Sequence, residues 1–450
     1  MSISDVVNVP ELIDRQRLSG FQIRVAALCA AVIFFDGFDT QAIGYVAPAI
    51  IKAWRIPPPS LAPVFAAGLF GLMIGALLFG PLADRIGRKA VIVFCLGFFG
   101  LCSLVTPFCD SLSSLLAIRF VTGLGLGGAM PNAIALTSEY GPRRSRATMI
   151  MVMFCGFSLG SALGGLLAAR LIPQFGWQAV FYAGGILPLA FAPVLIAALP
   201  ESIRLLVLKG SESTRIAALL RRINATLVFA EGQRFAVVEE AAGGMPVRHL
   251  FREGRTAVTL LLWVMFFMNL LDLYFLANWL PTVIHGSGAS LELAVIATAM
   301  LQVGGIAGTL TLGWVMDRFR ATRVLALTYF GAGLFVAAIG AAGSAIAMIM
   351  VAVFGAGFCV VGAQIAANAF TAQCYPTYIR ATGVGWALGI GRVGSIIGPV
   401  LGGMMLSFHW PTPTLFMAGA IPVFIAAMAS FTLGIGSISP ETERLRSTTA

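Results

Sequence analysis

The sequence predicts an all-α membrane protein with twelve transmembrane helices arranged as two six-helix repeat bundles. Three observations carry that prediction. Apolar stretches of about 20 residues recur along the chain, each long enough to cross ~30 Å of hydrocarbon as a helix. The basic residues are segregated into clusters between those stretches. The second half of the chain also repeats the first along one diagonal.

Composition supports the first observation. Of 450 residues, 58% are hydrophobic and 11% charged, whereas a soluble domain carries about 25% charged residues. Alternating segments of about ten residues, the mark of a membrane barrel, do not occur. The net charge of +10 comes from short basic clusters between apolar runs. It offers no basic face on a soluble fold, so nucleic acid is excluded as a partner. The seven cysteines show no disulfide pattern, and Cys95, Cys102 and Cys109, at heptad spacing in one apolar run, read as small buried hydrophobes.

Spans are predicted near 25–50, 61–82, 90–108, 112–138, 147–170 and 177–199, then near 257–283, 291–316, 323–343, 345–372, 381–407 and 412–436. They divide the chain into a cytoplasmic N-terminal segment (1–24), an N-terminal six-helix bundle (25–199), a cytoplasmic linker (200–256), a C-terminal six-helix bundle (257–436) and a cytoplasmic tail (437–450). The first segment is polar, and the apolar run after it reads as a retained helix rather than a cleaved signal.

With the amino terminus in the cytoplasm, 24 of the 29 Lys and Arg residues fall on cytoplasmic segments. Only Lys52, Arg55 and Arg170 fall outside, and Arg119 and Arg392 fall within the membrane. That asymmetry predicts a multi-pass protein of a bacterial inner membrane with both termini inside.

The repeat appears on shifting the first half by 233 residues. Asp39 then lands on Asp272, Asp36 on Asn269, Pro48 on Pro281, Gly80 on Gly313, Asp84 on Asp317 and Arg85 on Arg318. One further residue of shift places Gly160 on Gly394 and Gly164 on Gly398. Two parallel repeats of six helices suggest bundles that rock about a central site.

The chemistry concentrates in few residues. Asp36 and Asp39, in Asp36-Gly-Phe-Asp39-Thr40, share one face of the first helix. At 1.5 Å per residue they lie ~17 and ~21 Å from its inner end. Acids at that depth cost about 2.5–3.5 kcal/mol each on insertion scales and persist only beside a wet cavity or a partner. They are the candidate proton-coupling pair, although Asp39 could instead hold an Arg in a structural ion pair. Arg119, in the fourth helix, can pair with Asp39, bind an anion or switch between the two. Arg392, near mid-membrane in the eleventh helix, is the favoured ligand of a substrate anion. Neither arginine has a counterpart in the other half, as a shared scaffold role would require. Gly123, Gly125 and Gly128 match a dinucleotide fingerprint only formally, because no strand precedes them. Small residues for close helix packing explain them better. Asp272 and Tyr274 complete the candidate cavity, and Phe38, Tyr45, Tyr274 and Trp386 are the rings able to stack on an aromatic substrate. His249, His285 and His409 fall in predicted loops and read as solvated.

Between the second and third helices stands Gly80-Pro-Leu-Ala-Asp84-Arg85-Ile-Gly87-Arg88-Lys89, with a degraded copy at Gly313-Trp-Val-Met-Asp317-Arg318. Gly80 is expected to let helices approach closely. Asp84 is expected to cap a neighbouring helix or pair with an Arg. Glu139 and Arg146, after the fourth helix, read as gating or structural. This loop, its position and its copy resemble the signature of the major facilitator superfamily. With the Asp36-Gly-Phe-Asp39-Thr40 block and the intramembrane arginines, they resemble its aromatic acid:proton symporter branch. The resemblance implies the major facilitator fold and roles in transport for Asp36, Asp39 and Asp84. It implies import of benzoate-, hydroxybenzoate- or phenylpropionate-like acids together with protons, by alternating access. In the second copy Arg320-Ala-Thr-Arg323 departs from the pattern, which weakens a latch there.

The function expected is therefore a proton-coupled symporter for small aromatic carboxylates, not an enzyme. The coupling ion is H+, no cofactor is expected, and the partners are the organic anion, protons and membrane lipid, with the chain acting as a monomer. Symport of non-aromatic acids such as muconate is the nearest alternative. A drug:proton antiporter fits less well, since two intramembrane arginines suit a cationic substrate poorly. A receptor role is disfavoured because the linker is too short for a signalling domain.

Overall fold

In the computed structural model of the chain, residues 6–436 are described except 231, 238–245, 317, 344 and 376–378. Twelve helices among them are long and apolar enough to cross a membrane. They are α1 Gly20–Trp54, α2 Ala62–Ile86, α3 Arg88–Val105, α4 Leu112–Tyr140, α5 Arg143–Phe175 and α6 Gln178–Ala198. After the linker come α7 Thr256–Gly286, α8 Leu291–Met316, α9 Ala321–Ala341, α10 Ile346–Cys374, α11 Arg380–Ser407 and α12 Thr412–Gly436. Each coincides with a predicted span. Several overrun it, because hydropathy marks only the lipid-facing stretch: α1 has 35 residues, about 50 Å at 1.5 Å per residue.

The described residues form two compact units, one within 1–46 and 67–240, the other within 47–66 and 241–450. The end of α1 and the start of α2 therefore group with the second half of the chain. Within that unit Phe65 meets Trp279 edge-on at 5.1 Å between ring centroids, and Ala62 packs against Gly403.

In each unit the helices pair through glycine. A Cβ at Gly123 of α4 would fall 2.1 Å from the Gly68 carbonyl oxygen of α2, and one at Gly71 would fall 2.1 Å from that of Phe120. In the second unit α8 and α10 meet likewise, with Gly304 against the Phe354 carbonyl and Gly357 against that of Leu301. The sequence repeat survives as a repeat of contacts. Gly160 of α5 lies on the Phe34 carbonyl of α1, and Gly394 of α11 lies on that of Phe267 in α7. Gly164 lies on the Phe38 ring, and Gly398 on the Leu271 carbonyl. Residues 34 and 267, and 38 and 271, are each 233 apart, as the sequence diagonal requires. Without water to drive them together, helices in lipid associate through such close packing.

The polar segments fold onto the first unit. Strand β1, Val6–Asn8, pairs in parallel with β2, Arg234–Ala236, from the linker. The short helix Val9–Arg15 buries Val9 and Ile13, and the linker helix Ser213–Ile223 buries Ile216, Ala217, Leu220 and Ile223 along one stripe. Asn224 of the sequon-like Asn224-Ala-Thr226 donates to Gln16 Oε1 at 2.8 Å, tying linker to N-terminal segment.

Two glycines predict opposite outcomes. Gly123→Val forces α2 and α4 apart and should destabilise the protein by about 1–3 kcal/mol, the usual range for overpacking. A Cβ at Gly80 meets no described atom within 4 Å, so Gly80→Val should leave stability nearly unchanged. Thermal unfolding of the purified protein in detergent, followed by loss of the monodisperse peak, checks both.

Candidate functional site

The first unit buries a charged cluster around α1. Asp39 is 0% and Arg119 3% exposed. Arg119 Nη1 meets Asp39 Oδ2 at 3.0 Å, and its Nη2 donates to the Asp39 backbone carbonyl at 3.2 Å. Ser103 of α3 donates its hydroxyl to the other carboxylate oxygen, and the Phe181 ring of α6 lies 5.8 Å from the guanidinium. Four helices thus converge on one ion pair. Asp36, one turn earlier and 1% exposed, accepts the Thr40 hydroxyl at 3.1 Å.

The repeat-related place in the second unit has different chemistry. Asn269, where the first half has Asp36, donates through Nδ2 to the Val360 carbonyl at 3.3 Å and to Gln364 Oε1 at 2.6 Å. Asp272, the counterpart of Asp39, is fully buried. Neither of its carboxyl oxygens has a hydrogen-bond partner among the described residues. Half-buried Arg392 donates to the Tyr274 hydroxyl at 3.2 Å, so Tyr274 anchors the guanidinium and Asp272 does not.

Three of the rings expected to stack on a substrate are otherwise engaged. Phe38 fills a slot between Gly164 of α5 and Gly184 of α6, and is helix packing. Tyr45 is fully buried and donates its hydroxyl to the Ser161 carbonyl at 3.0 Å. Trp386, 42% exposed, stacks on Trp263 at 5.8 Å with ring planes 22° apart. Helical periodicity cannot tell a lining ring from a packing ring, because both occupy the buried face.

The loop between α2 and α3 forms an inner-side network. Gly87 has φ +125°, and a Cβ there would fall 2.3 Å from Glu201 Oε2. Glu201 Oε1 accepts the Lys89 backbone N–H at 3.1 Å and the Ser202 N–H at 2.8 Å. An acid from beyond α6 thus caps the N-terminus of α3, where the helix dipole favours negative charge. Of the two roles expected for Asp84, capping a helix or pairing with an Arg, it takes the second: largely exposed, it pairs with Arg88 at 3.5 Å. Arg88 also meets Glu139 at 3.1 Å, and Glu139 accepts the Ser202 hydroxyl at 2.6 Å. Arg146 meets Asp14 at 3.5 Å and donates to the Gly141 carbonyl at 3.2 Å. Arg85 is exposed. The close approach expected at Gly80 occurs instead at Gly71 and Gly123. In the second copy Arg318 stacks on Trp314 at 3.7 Å, and Asp317 lies outside the described residues.

Sequence reasoning missed Ser103, Glu201 and Ser202, which are ordinary polar residues until the fold places them. It also missed Gln302, Gln364 and Asn368, whose amides within apolar runs are a legible signal.

The Arg119–Asp39 pair makes a stability prediction. Removing one partner of a buried pair typically costs about 3–5 kcal/mol. Arg119→Gln should therefore lower the unfolding temperature markedly, and the double variant Arg119→Gln with Asp39→Asn should recover part of the loss. A double variant no more stable than Arg119→Gln alone contradicts a coupled pair.

Comparison with known proteins agrees with this architecture. The Major Facilitator Superfamily model matches residues 29–339 and 262–448. A gallate transporter of Pseudomonas putida is 43% identical over 424 residues, covering 94% of each chain. The 4-hydroxybenzoate transporter PcaK of Pseudomonas aeruginosa is 43% identical over 435 residues, covering 96% of each. Among solved structures, the partially occluded inward-open xylose transporter XylE from E. coli superposes with a TM-score of 0.73 at 16% identity, over 92% of this chain and 98% of that one, a likeness of fold. With twelve apolar helices and transporters as its relatives, the chain is a multi-pass membrane transporter rather than an enzyme; it belongs to the major facilitator superfamily and, within it, to the aromatic acid:proton symporter family.

Proposed function

We propose that the protein imports small aromatic carboxylates, of the benzoate or hydroxybenzoate type, together with protons, by alternating access in a bacterial inner membrane with both termini cytoplasmic. The observation that carries this reading is the near full-length identity to transporters named for gallate and for 4-hydroxybenzoate.

The geometry supports specific roles. Asp36 and Asp39 carry the coupling proton. Protonation of Asp39 removes the charge that holds Arg119 and frees the guanidinium to change partners. Arg392, which donates to the Tyr274 hydroxyl, grips the substrate carboxylate through two parallel hydrogen bonds, a geometry Lys cannot reproduce. Gly87, Arg88, Glu139 and Arg146 act through the inner-side network, with Glu201 as its hub. The coupling ion replaces any cofactor, and the working unit is a monomer in lipid.

Uptake by cells that lack their own aromatic-acid transporters tests the reading. Expression should give accumulation of labelled 4-hydroxybenzoate that collapses with a protonophore, and entry of the acid should alkalinise a weakly buffered medium. Asp36→Asn and Asp39→Asn should each abolish accumulation against a gradient, and Arg392→Lys should weaken uptake at least tenfold. Accumulation that survives both acid substitutions and the protonophore overturns proton coupling. For the orientation, alkaline phosphatase joined after residue 110 should be active and after residue 230 inactive.

A further inference from the structure

The second unit carries a set of buried amides that the coupling and anion-binding roles leave unused. Asn269 of α7, Gln302 of α8, and Gln364 and Asn368 of α10 occur in otherwise apolar helices. Asn269 is 0% and Gln302 3% exposed. Gln364 and Asn368 are four residues apart and share a helix face. The Val360 carbonyl sets the orientation of the Asn269 amide, since only Nδ2 can donate to it at 3.3 Å. That orientation in turn makes Gln364 present Oε1, which accepts from the same nitrogen at 2.6 Å. The far ends of both amides are left over. Asn269 Oδ1, an acceptor, and Gln364 Nε2, a donor, are buried without a hydrogen-bond partner among the described residues. So are Gln302 Oε1, Asn368 Oδ1 and both oxygens of Asp272, one helical turn from Asn269.

Each buried polar group left unbonded costs about 1–3 kcal/mol, so the two atoms left over where α7 meets α10 call for a ligand. The kind of ligand follows from the kind of atom. At the Asn269–Gln364 pair the leftover atoms belong to neutral amides, one an acceptor and one a donor fixed by the network. A carboxylate only accepts, and the oxygens would repel it. A hydroxyl both donates and accepts. We propose that Asn269 of α7 and Gln364 of α10, with Asn368 one turn along the same helix, form a subsite for a ring hydroxyl of the substrate, so that the transporter selects hydroxylated aromatic acids over benzoate. This rests on the aromatic-acid reading above. A site built to hydrogen-bond a hydroxyl discriminates against the analogue lacking it because its own polar groups are then left unpaired.

Competition against labelled 4-hydroxybenzoate uptake, with the full-length protein in cells, tests it in two ways. In the wild type, unlabelled 4-hydroxybenzoate should compete at least tenfold better than benzoate. It should likewise outcompete 4-methoxybenzoate, which keeps the acceptor oxygen and loses the donor. Equal competition by the three acids overturns the subsite without touching the transport reading, whereas absence of 4-hydroxybenzoate uptake overturns both. In Gln364→Met, which keeps the length of the side chain and removes the amide, the preference for 4-hydroxybenzoate over benzoate should fall at least tenfold, and Asn368→Leu should act in the same direction. A preference unchanged in both variants, or a loss of affinity equal for both acids, also overturns the proposal. The wild-type comparison needs no variant to fold.

Discussion

Hydrocarbon offers no hydrogen-bond partner to a peptide group, and every feature of this chain answers to that constraint. Twelve segments close their backbone bonds internally as helices. Lipid tails are as apolar as the helix surfaces, so burial of apolar area does little to bring those helices together, and packing at carbonyl distance does it instead. Gly123, Gly71, Gly160 and Gly394 each place a helix against a neighbour's carbonyl oxygen. These contacts recur in both units at spacings of 233 or 234 residues in the partner helix. The repeat is therefore a property of the packing as well as of the letters.

Against that shared scaffold the two units differ in their polar interiors. The first commits its charges to each other: Asp39 and Arg119 are fully desolvated, bonded twice, and supported by Ser103 and Phe181. The second replaces Asp36 by Asn269 and leaves the Asp272 carboxyl without a hydrogen-bond partner among the described residues, while its arginine takes a tyrosine hydroxyl. A polar group at membrane depth is kept at a cost and marks function by default. On the proposed reading, this unlike use of equivalent positions divides the labour, with proton exchange in the first unit and recognition of the organic molecule in the second.

The inner face shows how a loop signature acquires physical meaning. Gly87 adopts a backbone conformation that side chains rarely enter, and its missing Cβ leaves room for Glu201. That acid caps α3, while Arg88 links Asp84 to Glu139, and Glu139 is bonded to Ser202. The chain just beyond α6 is thereby tied to the start of α3 and the end of α4. Asp14 on the N-terminal segment ties Arg146 at the start of α5 from the other side.

The sequence by itself determined the helix count, the repeat and the residues that carry charge into the membrane. Apolar run length, basic clustering and misplaced acids are one-dimensional signals of a one-dimensional constraint, the thickness of the bilayer. It also brought Asp39 and Arg119 to similar depths. Only the tertiary structure showed that Arg119 meets Asp39, since that contact depends on the crossing of α1 and α4. Only there did Phe38 and Tyr45 become packing rather than cavity lining, because a helix face identifies a buried side without saying what covers it. The polar N-terminal segment and linker, read as separate loops, join through a strand pair and buried apolar stripes because their partners lie more than 200 residues apart in the chain. The amides of α7 and α10 were visible as letters; that the outer atoms of Asn269 and Gln364 have no partner among the described residues follows from how α7 and α10 meet, which no local pattern encodes.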